Sequence, residues 1–160
     1  KGVKYLLEAV RRLARPDITV TLAGAVVGSG MGLAPYRHLF THRPHVPYLQ
    51  VHEMFRNADL FVHPGLHEGS AFSILEAMAA GLPILTTYNA GSVVRDGVEG
   101  FIVPIRNVDA IMEGIENLRL NPVRRAAMGA AARARAEQFS WEKYGENLDA
   151  LLRQFTGHQP

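Results

Sequence analysis

Glu68 and Glu76 stand eight residues apart across a Gly/Ser turn and the start of an apolar stretch. Between Glu68 and Arg95, Glu76 is the only charged side chain. An ionised carboxylate is a pure acceptor that can take two O–H donors, so paired sugar hydroxyls suit it better than phosphate does. A charge left unpaired inside an apolar helix costs several kcal/mol, so Glu76 needs a partner unless it faces water on an amphipathic helix. Between the two carboxylates, the first free N–H groups of that helix, around Ser70 to Ser73, form a seat for phosphate, and the Ser70 and Ser73 hydroxyls can add to it. An anion there gains roughly 0.3–1 kcal/mol from the helix dipole. One loop can thereby read both halves of a nucleotide-sugar.

Two other chemistries compete for the same residues. A glycosidase acid/base pair needs its carboxyl groups roughly 5–9.5 Å apart, whereas eight residues of helix separate the backbones by about 12 Å. His63, His67 and Glu68 could form a metal cluster, but no helix or cysteine frames them and a glycine-proline loop holds ligands poorly.

The elements that must position these residues follow from periodicity and punctuation. Val3 to Ala14 reads as an amphipathic helix on Leu6, Val10 and Leu13, ended by Pro16, and Ile18 to Ala23 as a buried strand. The run Gly28-Ser29-Gly30-Met31-Gly32 suggests a dinucleotide fingerprint, but its third small residue is Leu33, so it reads as a loop into a helix over Leu33 to Phe40. A weak strand follows at Val46 to Leu49, a short helix face on Val51, Met54, Phe55 and Ala58, and a buried strand at Leu60 to His63 that aims at the motif. After the motif helix, Gly81 is a stop and Pro83 to Thr87 another strand. Asn89 to Ser92 is a loop opening a short helix, and Gly100 to Pro104 is the last strand. Asn107 caps a helix buried on Ile111, Ile115 and Leu118. From Asn121-Pro122 the chain is helical, with Ser140 capping a final helix that carries Trp141, Tyr144, Leu148, Leu151 and Leu152, and a loose tail beyond it. Short strands alternating with helices, without a hairpin signal, give an α/β fold: a Rossmann-like parallel sheet with helices on both faces. Ligands in such folds bind beyond the carboxyl ends of the strands, where the Glu68 loop sits.

Composition narrows the class. The 160 residues suit one domain, and 17 Lys+Arg against 15 Asp+Glu are too balanced and interspersed for a nucleic-acid footprint. Arg124, Arg125, Arg133 and Arg135 read as a solvated helix face rather than an anion-binding one. Without cysteine there is no disulfide framework or thiolate chemistry, and the expected compartment is the cytoplasm. No stretch reads as a membrane span or a signal peptide.

The pattern Glu68-Gly69-x5-Leu75-Glu76-Ala77-Met78-Ala79-x-Gly81-x-Pro83 resembles the Glu-x7-Glu motif of retaining glycosyltransferases of the GT-B fold, the glycosyl transferases group 1 family. The resemblance continues through Lys1-Gly2-Val3-x-Tyr5-Leu6-Leu7-Glu8-Ala9, Ala58-Asp59-Leu60-Phe61-Val62, Asp96-Gly97-x-x-Gly100-Phe101-x-Val103-Pro104 and Phe139-Ser140-Trp141. It implies the family's C-terminal, nucleotide-sugar-binding domain over residues 1–156, with 157–160 as a tail. In the implied roles, Glu68 meets the donor sugar's hydroxyls and Lys1 neutralises the leaving diphosphate. Glu76 holds the ribose, and Gly69 and Ser70 with the N–H groups of Ala71, Phe72 and Ser73 approach the sugar and diphosphate. Gly91 and Ser92 form a second loop near the donor. No metal or other cofactor is expected. The loop departs from the family's commoner Gly-Phe-Gly wording at Ala71-Phe72 and Ser73-Ile74.

The family's arginine just before Lys1, its first and central strand, and its acceptor-binding N-terminal domain are not in the sequence. Two expectations follow. The strands at Ile18 and Leu60 are not paired but flank a gap of roughly two strand spacings, about 9–10 Å. The unpaired edges leave the fragment prone to association. The function implied is the donor-binding half of an enzyme that moves a sugar from a nucleoside-diphosphate sugar to a glycan, lipid-linked or small-molecule acceptor. The fragment alone is expected to be inactive, and the location to be cytoplasmic, extending to peripheral contact with the inner membrane face. A non-catalytic nucleotide-binding or interaction module of the same fold is the alternative.

Overall fold

The structure, a computed structural model, describes residues 1–26 and 28–156; the expected tail over 157–160 lies outside them. Helix α1 (Val3–Leu13) buries Leu6, Leu7, Ala9 and Val10 on one face and ends ahead of Pro16, at Ala14, whose N–H donates to the Val10 carbonyl. Strand β1 (Val20–Ala23) follows, pairing in parallel with β2 (Phe40–Arg43). A second, three-stranded parallel sheet runs in the order β3 (Phe61–His63), β4 (Ile84–Thr87), β5 (Gly100–Val103). Among the described residues no ladder joins β1 to β3. The sheet is interrupted where a central strand was expected to be missing.

Alternation along the strands sorts side chains onto two faces. Phe61, Ile84 and Ile102 pack with α2 (Tyr48–Arg56), α3 (Phe72–Ala79) and α5 (Pro122–Ala136) through Phe55, Ile74, Met78 and Ala132. Their strand neighbours Val62, Leu85, Phe101 and Val103 pack on the opposite face with α1 and α4 (Val108–Leu120). β4 is buried along its whole length, as a central strand covered on both faces must be. Val20 of β1 joins the α1 face, so α1 bridges the two sheets. The Asn107 side chain caps α4 by accepting from the Ala110 N–H at 3.0 Å, as expected.

Three local expectations are corrected. The strand sought at Val46 to Leu49 lies at Phe40–Arg43, and Tyr48 already belongs to α2, whose first turn is set by Pro47 at the N-cap. Proline's fixed φ suits that entry, while Phe40 and His42 supply the half-buried alternation a strand needs. The helix expected over Leu33 to Phe40 is a 3₁₀ segment at Met31–Leu39 with Pro35 inside it, and Phe40 is already extended. No helix follows Ser92; a single 3₁₀ turn, Tyr88–Ala90, precedes Gly91 instead.

The arginines of α5 are engaged within the chain. Arg124 lies over the Phe101 ring, Arg125 pairs with Asp59 at 3.3 Å, Arg133 with Glu137 at 3.8 Å, and Arg135 reaches the Val93 carbonyl at 3.4 Å. Helix α6 (Trp141–Thr156) is capped by Ser140, whose hydroxyl accepts from the Lys143 N–H at 3.3 Å. Its apolar residues, Trp141, Tyr144, Leu148, Leu151 and Phe155 among them, are exposed.

Candidate functional site

The site forms at the carboxyl end of β3, where the chain turns through Pro64 and Gly65 into the Glu68 loop and then α3. The adjacent end of β4 fixes this turn. The hydroxyl of Thr86 donates to the His63 carbonyl at 2.9 Å, and that of Thr87 to the Gly65 carbonyl. Both threonines are buried, so these bonds are shielded from water.

The Glu68 loop rests on the loop that follows β4. The Glu68 N–H donates to the Asn89 carbonyl at 2.9 Å and the Ala71 N–H to the Ala90 carbonyl at 3.2 Å. Gly91 lies beneath the Glu68–Gly69 peptide, and a Cβ there would stand 2.3 Å from the Gly69 carbonyl oxygen; its φ of +58° also favours glycine. Gly91 is thus the floor of the Glu68 loop, and Ser92 stands half-buried just after it. Sequence reasoning grouped these residues by resemblance and missed this packing, which no local pattern encodes.

At the other end of the site, Gly2 adopts φ +74° against the Pro64 carbonyl, where a Cβ would fall 1.9 Å from the oxygen. That close approach brings the Lys1 ammonium to 3.5 Å from Glu68 Oε1. Lys1 is 73% exposed and Glu68 20%, so the pair adds little to stability but sets a cation beside the carboxylate. His63 Nε2 faces the same oxygen at 3.8 Å. Burial lowers the pKa of His63 from its ordinary value, Glu68 opposing and Lys1 adding to the shift.

The start of α3 divides the expected phosphate donors. Ala71 is the N-cap and its N–H is taken by Ala90, while the Ile74 N–H donates to Ala71. Among the described residues, the N–H groups of Phe72 and Ser73 have no partner. Ser70 is exposed and Ser73 half-buried, with hydroxyls that make no bond among the described residues. Glu76, one turn further on, is half-buried, and its carboxylate makes no hydrogen bond or ion pair among the described residues. It shares α3 with the buried Ile74, Ala77 and Met78. The structure therefore brings Lys1, Glu68, Gly69, Gly91 and the start of α3 into one loop cluster at the sheet's carboxyl end. Among the described residues, no three His, Cys, Asp or Glu side chains cluster as metal ligands would.

One charged residue escaped sequence reasoning. Glu99 is fully buried and accepts from the Arg95 backbone N–H at 2.7 Å and its Nε at 3.0 Å, with Nη2 also in contact. Burial raises its pKa, but the Arg95 hydrogen bonds outweigh it and hold the carboxyl below the ordinary value. This pair ties the turn that leads into β5. Its only sequence signal is an i, i+4 Arg/Glu spacing, common on any surface.

Parallel sheets flanked by helices, matched by solved structures of the GT-B type over less than half of their length, make this an α/β domain of the GT-B fold. The chain belongs to the Glycosyl transferases group 1 family, whose model matches residues 1–135. It is similar to a D-inositol 3-phosphate glycosyltransferase of Arthrobacter sp. (strain FB24), 32% identical over 100% of this chain and 44% of the relative. It is also similar to a GDP-mannose-dependent monoacylated alpha-(1-6)-phosphatidylinositol monomannoside mannosyltransferase of Corynebacterium glutamicum, 32% identical over 95% of this chain and 44% of that protein. Among solved structures it superimposes on sucrose-phosphate synthase from Thermosynechococcus elongatus with a TM-score of 0.83 at 20% identity, covering 98% of this chain and 43% of that one. It superimposes on Anabaena HepE in complex with UDP-glucose with a TM-score of 0.82 at 20% identity, covering 96% and 45%. The chain thus spans less than half the length of the relatives it matches. No helix among the described residues is long and apolar enough to cross a membrane.

Proposed function

We propose that residues 1–156 are the C-terminal, donor-binding domain of a retaining glycosyltransferase. It takes a sugar from a nucleoside-diphosphate sugar to a glycan, lipid-linked or small-molecule acceptor held by another domain. The observation that carries this reading is the joining of Glu68, Lys1 and the open N–H groups of Phe72 and Ser73 at one strand end, with unpartnered Glu76 one turn along α3. Negative charge grows on the departing diphosphate as the glycosidic bond breaks. Preorganised N–H groups and an ammonium at that place stabilise it most in the transition state. Glu68 accepts from donor-sugar hydroxyls and Glu76 from those of the ribose; Gly69, Ser70 and Ser92 border the donor. Ala71 supplies structure rather than a donor bond, because its N–H is committed to Ala90. The chemistry calls for no divalent metal and no further cofactor. The reaction belongs in the cytoplasm, at the inner membrane face where the acceptor is lipid-linked. The relative that uses GDP-mannose and the HepE structure with UDP-glucose make guanosine and uridine donors the first to try.

The test is calorimetry of this chain with UDP, GDP and ADP, repeated on Glu76→Ala. Binding of at least one nucleotide, weakened about tenfold or more by the loss of a carboxylate that accepts ribose hydroxyls, is expected. Absence of binding to all three, or an unchanged affinity in Glu76→Ala, contradicts the reading.

A further inference from the structure

His63 closes β3 with its ring stacked on Phe61, the centroids 6.3 Å apart and the planes 20° from parallel. Its side chain is 12% exposed, and Nε2 is buried without a hydrogen-bond partner. A carboxylate oxygen, Glu68 Oε1, lies at 3.8 Å, less than 1 Å beyond hydrogen-bond reach. Gly65 packs against this edge of the ring. A Cβ on Gly65 would lie 3.2 Å from His63 Cδ2 and 3.3 Å from Nε2. A buried polar nitrogen with a carboxylate just beyond hydrogen-bond reach is costly unless that gap closes in some state of the molecule.

We propose that His63 is the positioning residue of this site: its Nε2–H donates to Glu68 when the donor sugar seats, orienting the carboxylate toward the sugar's hydroxyls. The tautomer follows from electrostatics, because a bare Nε2 lone pair facing a carboxylate oxygen would be repelled. The ring acts as a neutral donor, since burial disfavours its charged form; Glu68 pulls the other way, while the Lys1 ammonium adds to the burial effect. The Glu68 oxygen that accepts from His63 is the one Lys1 approaches, which leaves the second oxygen for substrate. Gly65 serves this arrangement because a side chain there would press on the donor edge of the ring.

The inference rests on the donor-sugar role proposed for Glu68, so its test has one arm without nucleotide and one with it. In the first, imidazole nitrogen NMR of the chain reads tautomer and titration: His63 is expected to carry its proton on Nε2, and Glu68→Gln to move its titration downward by removing a negative neighbour. An Nδ1–H tautomer, or a titration indifferent to Glu68→Gln, overturns the proposal. In the second, affinities for UDP and UDP-glucose, and for GDP and GDP-mannose, are compared. His63→Leu is expected to weaken the sugar nucleotide about tenfold, as for one hydrogen bond to a charged group, while the nucleoside diphosphate stays within about twofold. His63→Gln, which keeps an N–H donor, recovers most of the loss. Equal weakening of both ligands, no change in either, or a His63→Gln as impaired as His63→Leu, contradicts the positioning role. Removing an orphaned buried nitrogen does not lower thermal stability, so a melting curve separates this loss from misfolding. A native chain that binds none of the four ligands counts against the donor-site reading, and with it the orienting role, whatever the NMR arm finds.

Discussion

At the scale of single residues, the buried charges set the protein's response to acid. Glu99 keeps its carboxyl below the ordinary range through Arg95 against the opposing effect of burial. The unfolded chain therefore binds a proton there before the folded one does, and stability is lost as pH falls through the carboxylate range. His63 adds to this from higher pH. Its folded pKa is below the ordinary value of 6.5, so the unfolded chain protonates first and stability begins to fall as pH drops below about 6.5. Denaturant melts at a series of pH values are expected to show both losses, with His63→Leu removing only the upper one. Glu99→Ala removes the acceptor of the Arg95 N–H inside the turn. It is expected to cost about 2 kcal/mol at neutral pH, measured in the same melts. An unchanged midpoint would show that the turn before β5 does not depend on the pair.

At the scale of elements, the site is made by two loops that interlock. Gly91→Ala places a Cβ against the Gly69 carbonyl and demands a positive φ of a residue that disfavours it. The expected cost is about 1–3 kcal/mol, together with loss of sugar-nucleotide binding as the Glu68 loop lifts. Calorimetry and melting curves on the same variant measure the two effects, and native affinity in Gly91→Ala would contradict the floor assigned to this glycine. What was legible in the sequence differs by element for physical reasons. The strands at β3, β4 and β5 and the Asn107 and Ser140 caps were legible, because short apolar runs bounded by Gly or Pro and capping chemistry are local properties. β2 was not, since only Phe40 and His42 are half-buried, Thr41 and Arg43 are exposed and no apolar run marks the segment, while Pro44 and Pro47 drew attention to the segment beyond. The Glu68/Glu76 spacing pointed to the site, yet the capture of the Ala71 N–H by Ala90 and the orphaned Nε2 of His63 depend on long-range packing that no spacing encodes.

At the scale of the whole molecule, the described residues fold as two parallel sheets bridged by α1, with β1 and β3 unpaired to each other among them and an exposed apolar row on α6. Open strand edges and exposed apolar area both favour association. Sedimentation is expected to show a mass that rises with concentration, whereas a monomer throughout the micromolar range would contradict this. The central claim is that the opening of α3 seats a diphosphate between a sugar-reading and a ribose-reading carboxylate. Backbone amide NMR of the chain during a UDP titration tests it most directly. The Phe72 and Ser73 amides are expected to shift most, the already bonded Ala71 amide less, and Glu76→Ala to weaken the response. Shifts confined to other segments, or a Phe72–Ser73 response that persists undiminished in Glu76→Ala, would contradict it.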